Sequence, residues 1–238
     1  HASNLSYFSS LIISRCIHGA GLLISSGRRI EKAIDKDFGI SQGELTALNE
    51  RVFEDSPSAI MKTFEYCHKF GVKMDNFTRD WIIKNRFRVD NDFINSKDVA
   101  GSFLNILKSG RAFSVLEEMH KLRLLERYIP EFSDITCRVQ HDMYHVYTVD
   151  VHSLFAVREL ERLRTSEYKK DFFILATLIE EVKRPELLTL AVLLHDIGKS
   201  MGKGHAEKGA ELVPRICLML GLSEVDPAVV KFMVKNHL

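Results

Sequence analysis

The sequence predicts an all-α protein, with at most one short β-hairpin in its N-terminal part. Apolar residues recur at spacings of three and four along most of the chain, and helix start and stop signals separate these stretches by short loops. The 238 residues, 45% of them hydrophobic and 27% charged, are enough for one large or two small soluble domains with a real core.

The first 50 residues have the weakest helical pattern. Residues 4–17 place apolar side chains near helical spacing, which predicts an amphipathic helix, and residues 19–27 form a break that contains glycine and serine. Residues 38–40 and 45–48 flank Ser41, Gln42 and Gly43, an arrangement that predicts a two-stranded hairpin.

From residue 56 onward, the helix boundaries are easier to predict. Ser56 and Pro57 supply a cap and a first-turn proline, and Gly71 supplies a stop. Asp98 is predicted to cap a second helix, which Gly110 ends.

Two aromatic side chains in this part of the sequence are assigned by their neighbours. Trp81, the single tryptophan, is predicted to join the core. The helix over residues 112–122 has one apolar face, and its His120 lies among charged neighbours, so we expect a solvated surface histidine.

Residues 125–134 resemble a domain boundary because Pro130 disfavours helical backbone at the residue before it. We therefore expect a helical segment over residues 1–133 and a second helical domain over residues 134–238. Residues 138–152 lack a helical period until Asp150, which predicts an ordered loop leading into a helix capped by Thr148 or Asp150.

Bulk properties exclude several function classes. The chain has 33 basic and 32 acidic residues, a net charge of +1, which gives no electrostatic case for binding nucleic acid or an anionic membrane. Its four cysteines form no Cys-x-x-Cys pair. No apolar run reaches the roughly 18–20 residues that span a bilayer, and no signal peptide is present, so we expect a cytoplasmic protein.

The most informative stretch is residues 187–209, LLTLAVLLHDIGKSMGKGHAEKG. An apolar run ends in the adjacent pair His195 and Asp196, followed by a glycine-punctuated loop with Lys199 and then by His205. A buried helix that ends on an imidazole and a carboxylate needs a partner for them, and a divalent cation accepts both as ligands.

This stretch resembles the HD superfamily of metal-dependent phosphohydrolases, whose pattern is a His, a His-Asp pair and a distant Asp. The resemblance implies that His195 and Asp196 are catalytic metal ligands, that His152 is the first His, and that Lys199 contacts a substrate phosphate. Further metal ligands implied are His205 and His237, and His145 is implied to orient substrate or support a ligand. The mixed nitrogen and oxygen set favours Mg²⁺ or Mn²⁺ over Zn²⁺.

A closer resemblance comes from RVQHDMYHVYTVDVH at 138–152 and YIPEF at 128–132. These segments are similar to the bacterial bifunctional PII uridylyltransferase/uridylyl-removing enzymes, which add UMP to the nitrogen regulator PII and remove it. The resemblance implies that this chain removes UMP by hydrolysing a tyrosyl phosphodiester on PII. The Asp-x-Asp site of the transferase half and the glutamine-sensing ACT repeats have no match here.

Two alternatives remain open at this stage. No Asp after residue 211 fits the last ligand of the HD pattern, because Asp226 is better explained as a helix cap, so we expect an incomplete HD domain whose activity is reduced or lost. The chain would then be a non-catalytic scaffold for docking PII. Alternatively, it is an HD phosphohydrolase that acts on a free nucleotide, such as a cyclic dinucleotide or an alarmone.

Overall fold

The computed structural model describes residues 30–139 and 147–237. The helix predicted over residues 4–17, the break at 19–27 and the loop histidines His141 and His145 lie outside these ranges. None of the helices in the described ranges combines the length and apolar character needed to cross a bilayer.

A small antiparallel sheet of order β1-β2-β3 precedes the helices. Strands β2 (Phe38–Ser41) and β3 (Glu44–Ala47) form the predicted hairpin, with Ser41 paired to Glu44. Its turn residues Gln42 and Gly43 both have positive φ, 53° and 74°, as a tight two-residue hairpin turn requires. The two-residue strand β1 (Lys32–Ala33) was not predicted, and it pairs with β2.

All other regular elements in the described residues are helices, so the all-α prediction with one short β element is confirmed. The helices up to residue 133 are α1 (Val52–Asp55), α2 (Ala59–Phe70), α3 (Asn76–Asn85), α4 (Asn91–Ile94), α5 (Lys97–Lys108), α6 (Phe113–Lys121), α7 (Leu125–Tyr128) and α8 (Pro130–Ser133). A 3₁₀ turn, Arg86–Arg88, follows α3.

From residue 149 onward, the described residues form six further α-helices. They are α9 (Val149–Arg162), α10 (Ser166–Lys169), α11 (Phe173–Glu180), α12 (Pro185–Leu194), α13 (His205–Met219) and α14 (Asp226–Lys235). A 3₁₀ helix, Ile197–Met201, connects α12 to α13. Thr148 occupies the N-cap position of α9, one of the two positions predicted for the cap.

One continuous hydrophobic core joins the two halves of the described chain. Phe103 and Leu107 of α5 and Leu190 and Leu194 of α12 are all fully buried in the same cluster. Helix α12 packs against α5, α9 and α14 at once, which explains why its sequence is apolar on every side. Because α12 is held from three directions, its C-terminal end has a fixed position.

Two of the sequence predictions are wrong in detail. His120 is mostly buried, and its Nε2 lies 3.3 Å from Oδ2 of Asp150. Asp226 is the first residue of α14, and Val225 holds the N-cap position instead. The Asp226 carboxylate accepts hydrogen bonds from the Ser223 amide and from both terminal nitrogens of Arg184. In each case a partner distant in sequence determines where the side chain lies.

Candidate metal centre

The side chains predicted to bind a metal come from four different elements that end at one place. His152 lies in the first turn of α9, and His195 and Asp196 immediately follow α12. His205 is the first residue of α13, and His237 follows the last turn of α14. The structure therefore brings together five residues that span 86 positions of the sequence. His145 falls in the undescribed segment and remains a prediction.

Asp196 lies at the middle of this cluster and is only 1% exposed. Its Oδ2 atom is 3.1 Å from Nε2 of His195 and 3.5 Å from Nε2 of His152. Its Oδ1 atom is 3.5 Å from Nε2 of His205 and 3.4 Å from Nε2 of His237. Each carboxylate oxygen of Asp196 thus faces a different pair of imidazoles.

Backbone carbonyls orient two of the imidazoles. Nδ1 of His195 donates a hydrogen bond of 2.7 Å to the carbonyl of Val192, and Nδ1 of His237 donates one of 2.7 Å to the carbonyl of Val234. Carbonyls in the last turn of a helix lack intrahelical partners, so a histidine just past the helix end can use one. With the proton held on Nδ1, the Nε2 lone pair faces Asp196 and can bind a cation.

The electrostatics of the cluster keep Asp196 ionised. Burial opposes the charge, but the contacts with His195 and Lys199 outweigh it and lower the pKa of the Asp196 carboxyl well below its usual value. Burial also lowers the pKa of His205, which favours neutral imidazole, the form that binds cations. Asp196 therefore presents an anionic oxygen ligand, and His205 presents a lone pair on nitrogen.

The residues fit a divalent cation, and their arrangement has room for two cations that share Asp196. Two groups of three possible ligand atoms, one formed by His152, His195 and Asp196 and one by Asp196, His205 and His237, each lie within 4.8 Å of one another. Within the described ranges, the buried atoms Asp196 Oδ1, His205 Nε2 and His237 Nε2 have no hydrogen-bond partner. Leaving such atoms unsatisfied is costly, and a bound cation would satisfy all three.

Lys199 is part of the same cluster. It lies on the 3₁₀ helix, its side chain is 12% exposed, and its Nζ is 2.9 Å from Oδ2 of Asp196. The ion pair fixes the ammonium at the edge of the candidate metal centre, where it adds positive charge on the side of His152 and His195.

Close packing of two glycines holds the start of α13 against the 3₁₀ helix. A Cβ on Gly198 would lie 2.1 Å from the carbonyl oxygen of His205 and 2.5 Å from the amide nitrogen of Gly209. Gly209 itself has no side chain at this contact, so α13 approaches the 3₁₀ helix closely and brings His205 to Asp196.

Sequence reasoning missed a second buried polar pair beside this centre. Asp150, 1% exposed, accepts a hydrogen bond of 2.9 Å from the Cys137 amide and contacts His120 of α6. Burial raises its pKa, but the contacts with His120, Thr148 and the Cys137 amide outweigh burial and lower the pKa of Asp150 to about 2. The contact between His120 and Asp150 connects α6 to the first turn of α9, two residues before His152.

Comparisons with known proteins agree with this architecture. Residues 38–128 match the family described as uridylyltransferase GlnD third domain, and residues 171–238 match the HD domain family. The second match contains His195, Asp196, Lys199, His205 and His237, whereas His152 lies before it. The chain is 32% identical over 210 residues to a bifunctional uridylyltransferase/uridylyl-removing enzyme of Legionella pneumophila strain Paris.

The chain belongs to the family of bifunctional uridylyltransferase/uridylyl-removing enzymes. A relative from Azotobacter vinelandii is 32% identical over 86% of this chain, and one from Acinetobacter baylyi is 30% identical over 98% of it. The chain spans about a quarter of the length of these uridylyltransferase/uridylyl-removing enzymes: 24% of the Legionella, 23% of the Azotobacter and 26% of the Acinetobacter protein.

Solved structures show a likeness of fold alone. Two chains titled as tRNA-processing enzyme structures superpose with TM-scores of 0.52 and 0.51, at 14% and 15% sequence identity. The matched region covers 80% and 82% of this chain. It covers 45% and 44% of the two tRNA-processing enzyme chains.

Proposed function

We propose that this chain catalyses the uridylyl-removing reaction of its family, the metal-dependent hydrolysis of the phosphodiester that links UMP to a PII-type regulatory protein in the cytoplasm. The observation that carries the proposal is the position of Asp196, a buried carboxylate with a pair of imidazoles against each of its oxygens. Such a centre suits the activation of water and the binding of a phosphate, whereas a purely structural helix end would not need it.

The metal ligands we propose are His152, His195, Asp196, His205 and His237, and the cation is Mg²⁺ or Mn²⁺. When bound, the cation would lower the pKa of a water molecule and neutralise charge on the phosphate oxygens. Asp196 would contribute one oxygen to each side of the centre, since its two oxygens face different imidazole pairs.

Lys199 is proposed to contact a phosphate oxygen that does not face the cation. Its ammonium is held at the edge of the centre by Asp196, so its charge lies next to the place where the phosphate would bind. Fixed positive charge at that position stabilises the additional negative charge of the transition state. The proposed leaving group is a tyrosine phenolate, with a pKa of about 10, which departs with little help from a general acid.

The first test is the binding of Mn²⁺ to the 238-residue chain, measured by titration calorimetry. His195→Ala and Asp196→Ala should both abolish binding while the far-ultraviolet dichroism of the helices is retained. Matched controls are His68→Ala on α2 and Asp134→Ala after α8, which lie outside the cluster and should bind Mn²⁺ as the parent does.

A second measurement tests the reaction itself. With Mn²⁺ present, the chain should release UMP from uridylylated PII protein, and Lys199→Gln should slow release without loss of Mn²⁺ binding. Metal binding without any release would contradict the hydrolytic proposal and support a docking scaffold. Faster cleavage of a free nucleotide than of the protein-linked UMP would contradict the proposed substrate.

A further inference from the structure

An open cavity of about 380 Å³ borders the candidate metal centre on the side of α13. Its lining includes Lys199 and His205 from the centre, the two further cationic residues Arg138 and Lys203, and the apolar side chains of Val139 and Val149. Small-molecule sites have volumes of about 300–1,000 Å³, so the cavity is large enough for a small ligand.

The charge of this lining differs from that of the whole protein. The chain carries nearly equal numbers of cations and anions, 33 and 32. Among the residues that the structure describes, however, the cavity is lined by three cationic side chains and by no carboxylate. Arg138 and Lys203 are exposed, and in residues 30–139 and 147–237 neither forms an ion pair. A concave surface lined in this way concentrates anions.

Both cations are attached to elements that also position metal ligands. The Val149 amide donates a hydrogen bond of 3.0 Å to the Arg138 carbonyl, which ties Arg138 to the start of the helix that carries His152. Lys203 lies between Gly202 and Gly204, whose φ angles of 77° and 72° define the turn immediately before His205. The distance from each cation's backbone to the centre is therefore fixed by the fold.

We propose that Arg138 and Lys203 form an anion-binding subsite for a nucleoside monophosphate, with Val139 and Val149 as the apolar wall beside the nucleoside. The identity of the nucleotide, UMP, rests on the proposed function, while the subsite rests on the cavity and its charges. A guanidinium can bind two phosphate oxygens at once, and an ammonium adds a point charge. Hydrolysis converts a diester with one negative charge into a monoester with nearly two, so these cations would hold the product more tightly than the substrate.

The test measures binding of UMP to the 238-residue chain by calorimetry, in EDTA so that the metal centre makes no contribution. Arg138→Gln and Lys203→Gln should each weaken UMP binding about tenfold or more, since charged hydrogen bonds are among the stronger ones. Matched controls are Arg86→Gln in the 3₁₀ turn after α3 and Lys183→Gln at the other end of α12 from His195. Both residues are exposed, and both variants should bind UMP as the parent does.

Two other ligands test the proposed chemistry. Uridine should not bind, and inorganic phosphate should bind more weakly than UMP because it cannot contact the apolar wall. Equal binding of phosphate and UMP, unchanged binding in both cavity variants, or no UMP binding by the parent would each overturn the subsite.

The outcome is independent of the hydrolytic reaction. If UMP binding depends on Arg138 and Lys203 but uridylylated protein is not hydrolysed, the subsite is supported and the proposed function is contradicted. The opposite outcome is also distinguishable. If both cavity variants hydrolyse uridylylated protein with the KM of the parent and the same inhibition by UMP, the proposed function is supported and the subsite is contradicted.

Discussion

Replacing Asp150 with asparagine should lower the free energy of unfolding by about 2 kcal/mol at neutral pH, and this loss should disappear in acid. Asp150 is 1% exposed, so solvent does not screen its contacts with His120 and the Cys137 amide. Its pKa is lowered from 3.8 to about 2, and at about 1.4 kcal/mol for each pKa unit this shift corresponds to roughly 2 kcal/mol.

The sign of the pH dependence follows from the direction of the shift. Because the pKa of Asp150 is lower in the folded protein than in the unfolded chain, the unfolded chain binds more protons between these two values. The stabilisation is therefore fully present above about pH 5, and it is lost progressively as the pH falls from there towards 2. Asparagine does not titrate, so the difference between Asp150→Asn and the parent should shrink over that interval.

The assay is urea denaturation followed by far-ultraviolet dichroism at several pH values between 2.5 and 7. Asp134→Asn is the matched control, because Asp134 is an exposed carboxylate and its substitution should change stability by less than about 0.5 kcal/mol. A double-mutant cycle with His120→Gln should show that the two substitutions are not additive. A stability difference that is the same at pH 3 and at pH 7 would refute the reasoning, since it would mean that the charge of Asp150 contributes nothing.

Two other substitutions test contacts that hold the metal centre in place. Gly198→Ala should destabilise the protein by about 1–3 kcal/mol in thermal melts and weaken Mn²⁺ binding, because its Cβ would meet backbone atoms of the helix that carries His205. The control is Gly101→Ala on α5, where a Cβ meets nothing within 4 Å, and this variant should be neutral or stabilising. Arg184→Ala should lower the free energy of unfolding by about 1–3 kcal/mol, because the buried carboxylate of Asp226 loses both hydrogen bonds from the guanidinium. A melting temperature equal to that of the parent would contradict this prediction.

The sequence predicted the helical class and the hairpin because both depend on local signals. Helix boundaries were less accurate: the helix expected to begin at Ser56 and Pro57 begins at Ala59, and Asp98 lies inside the first turn of α5, where its charge favours the helix N-terminus. Strand β1 has only two residues, too few for an alternating pattern to reveal, and it forms because β2 offers a free edge.

The candidate metal centre was also only partly predictable from local signals in the sequence. The local motif pointed to His195 and Asp196, but His152, His205 and His237 were assigned from a family resemblance, because no local pattern tells which helix ends meet. His120 was misjudged for the same reason. Its neighbours in sequence are charged, whereas its neighbour in space is Asp150, 30 positions away. Burial of a polar side chain by a distant partner leaves little trace in a single sequence.

The charges of the centre lead to a final prediction, that UMP and Mn²⁺ bind cooperatively. Without a cation, the charge of Asp196 is balanced by Lys199, so only Arg138 and Lys203 in the cavity attract a phosphate. A divalent cation adds two positive charges beside that cavity, and it should tighten UMP binding at least fivefold; by linkage, UMP should tighten Mn²⁺ binding by the same factor. Calorimetric titrations of each ligand with and without the other measure both factors.

The variant Asp196→Asn separates the two sites in this experiment. It removes the carboxylate that both halves of the metal centre share, so Mn²⁺ should no longer bind or affect UMP. In EDTA, however, the same variant should bind UMP at least as tightly as the parent, because a negative charge near the phosphate has been removed and Lys199 is released from its ion pair. Weaker UMP binding in EDTA would instead mean that Asp196 holds Lys199 in its binding position, and the phosphate would then lie closer to the metal centre than the cavity cations place it.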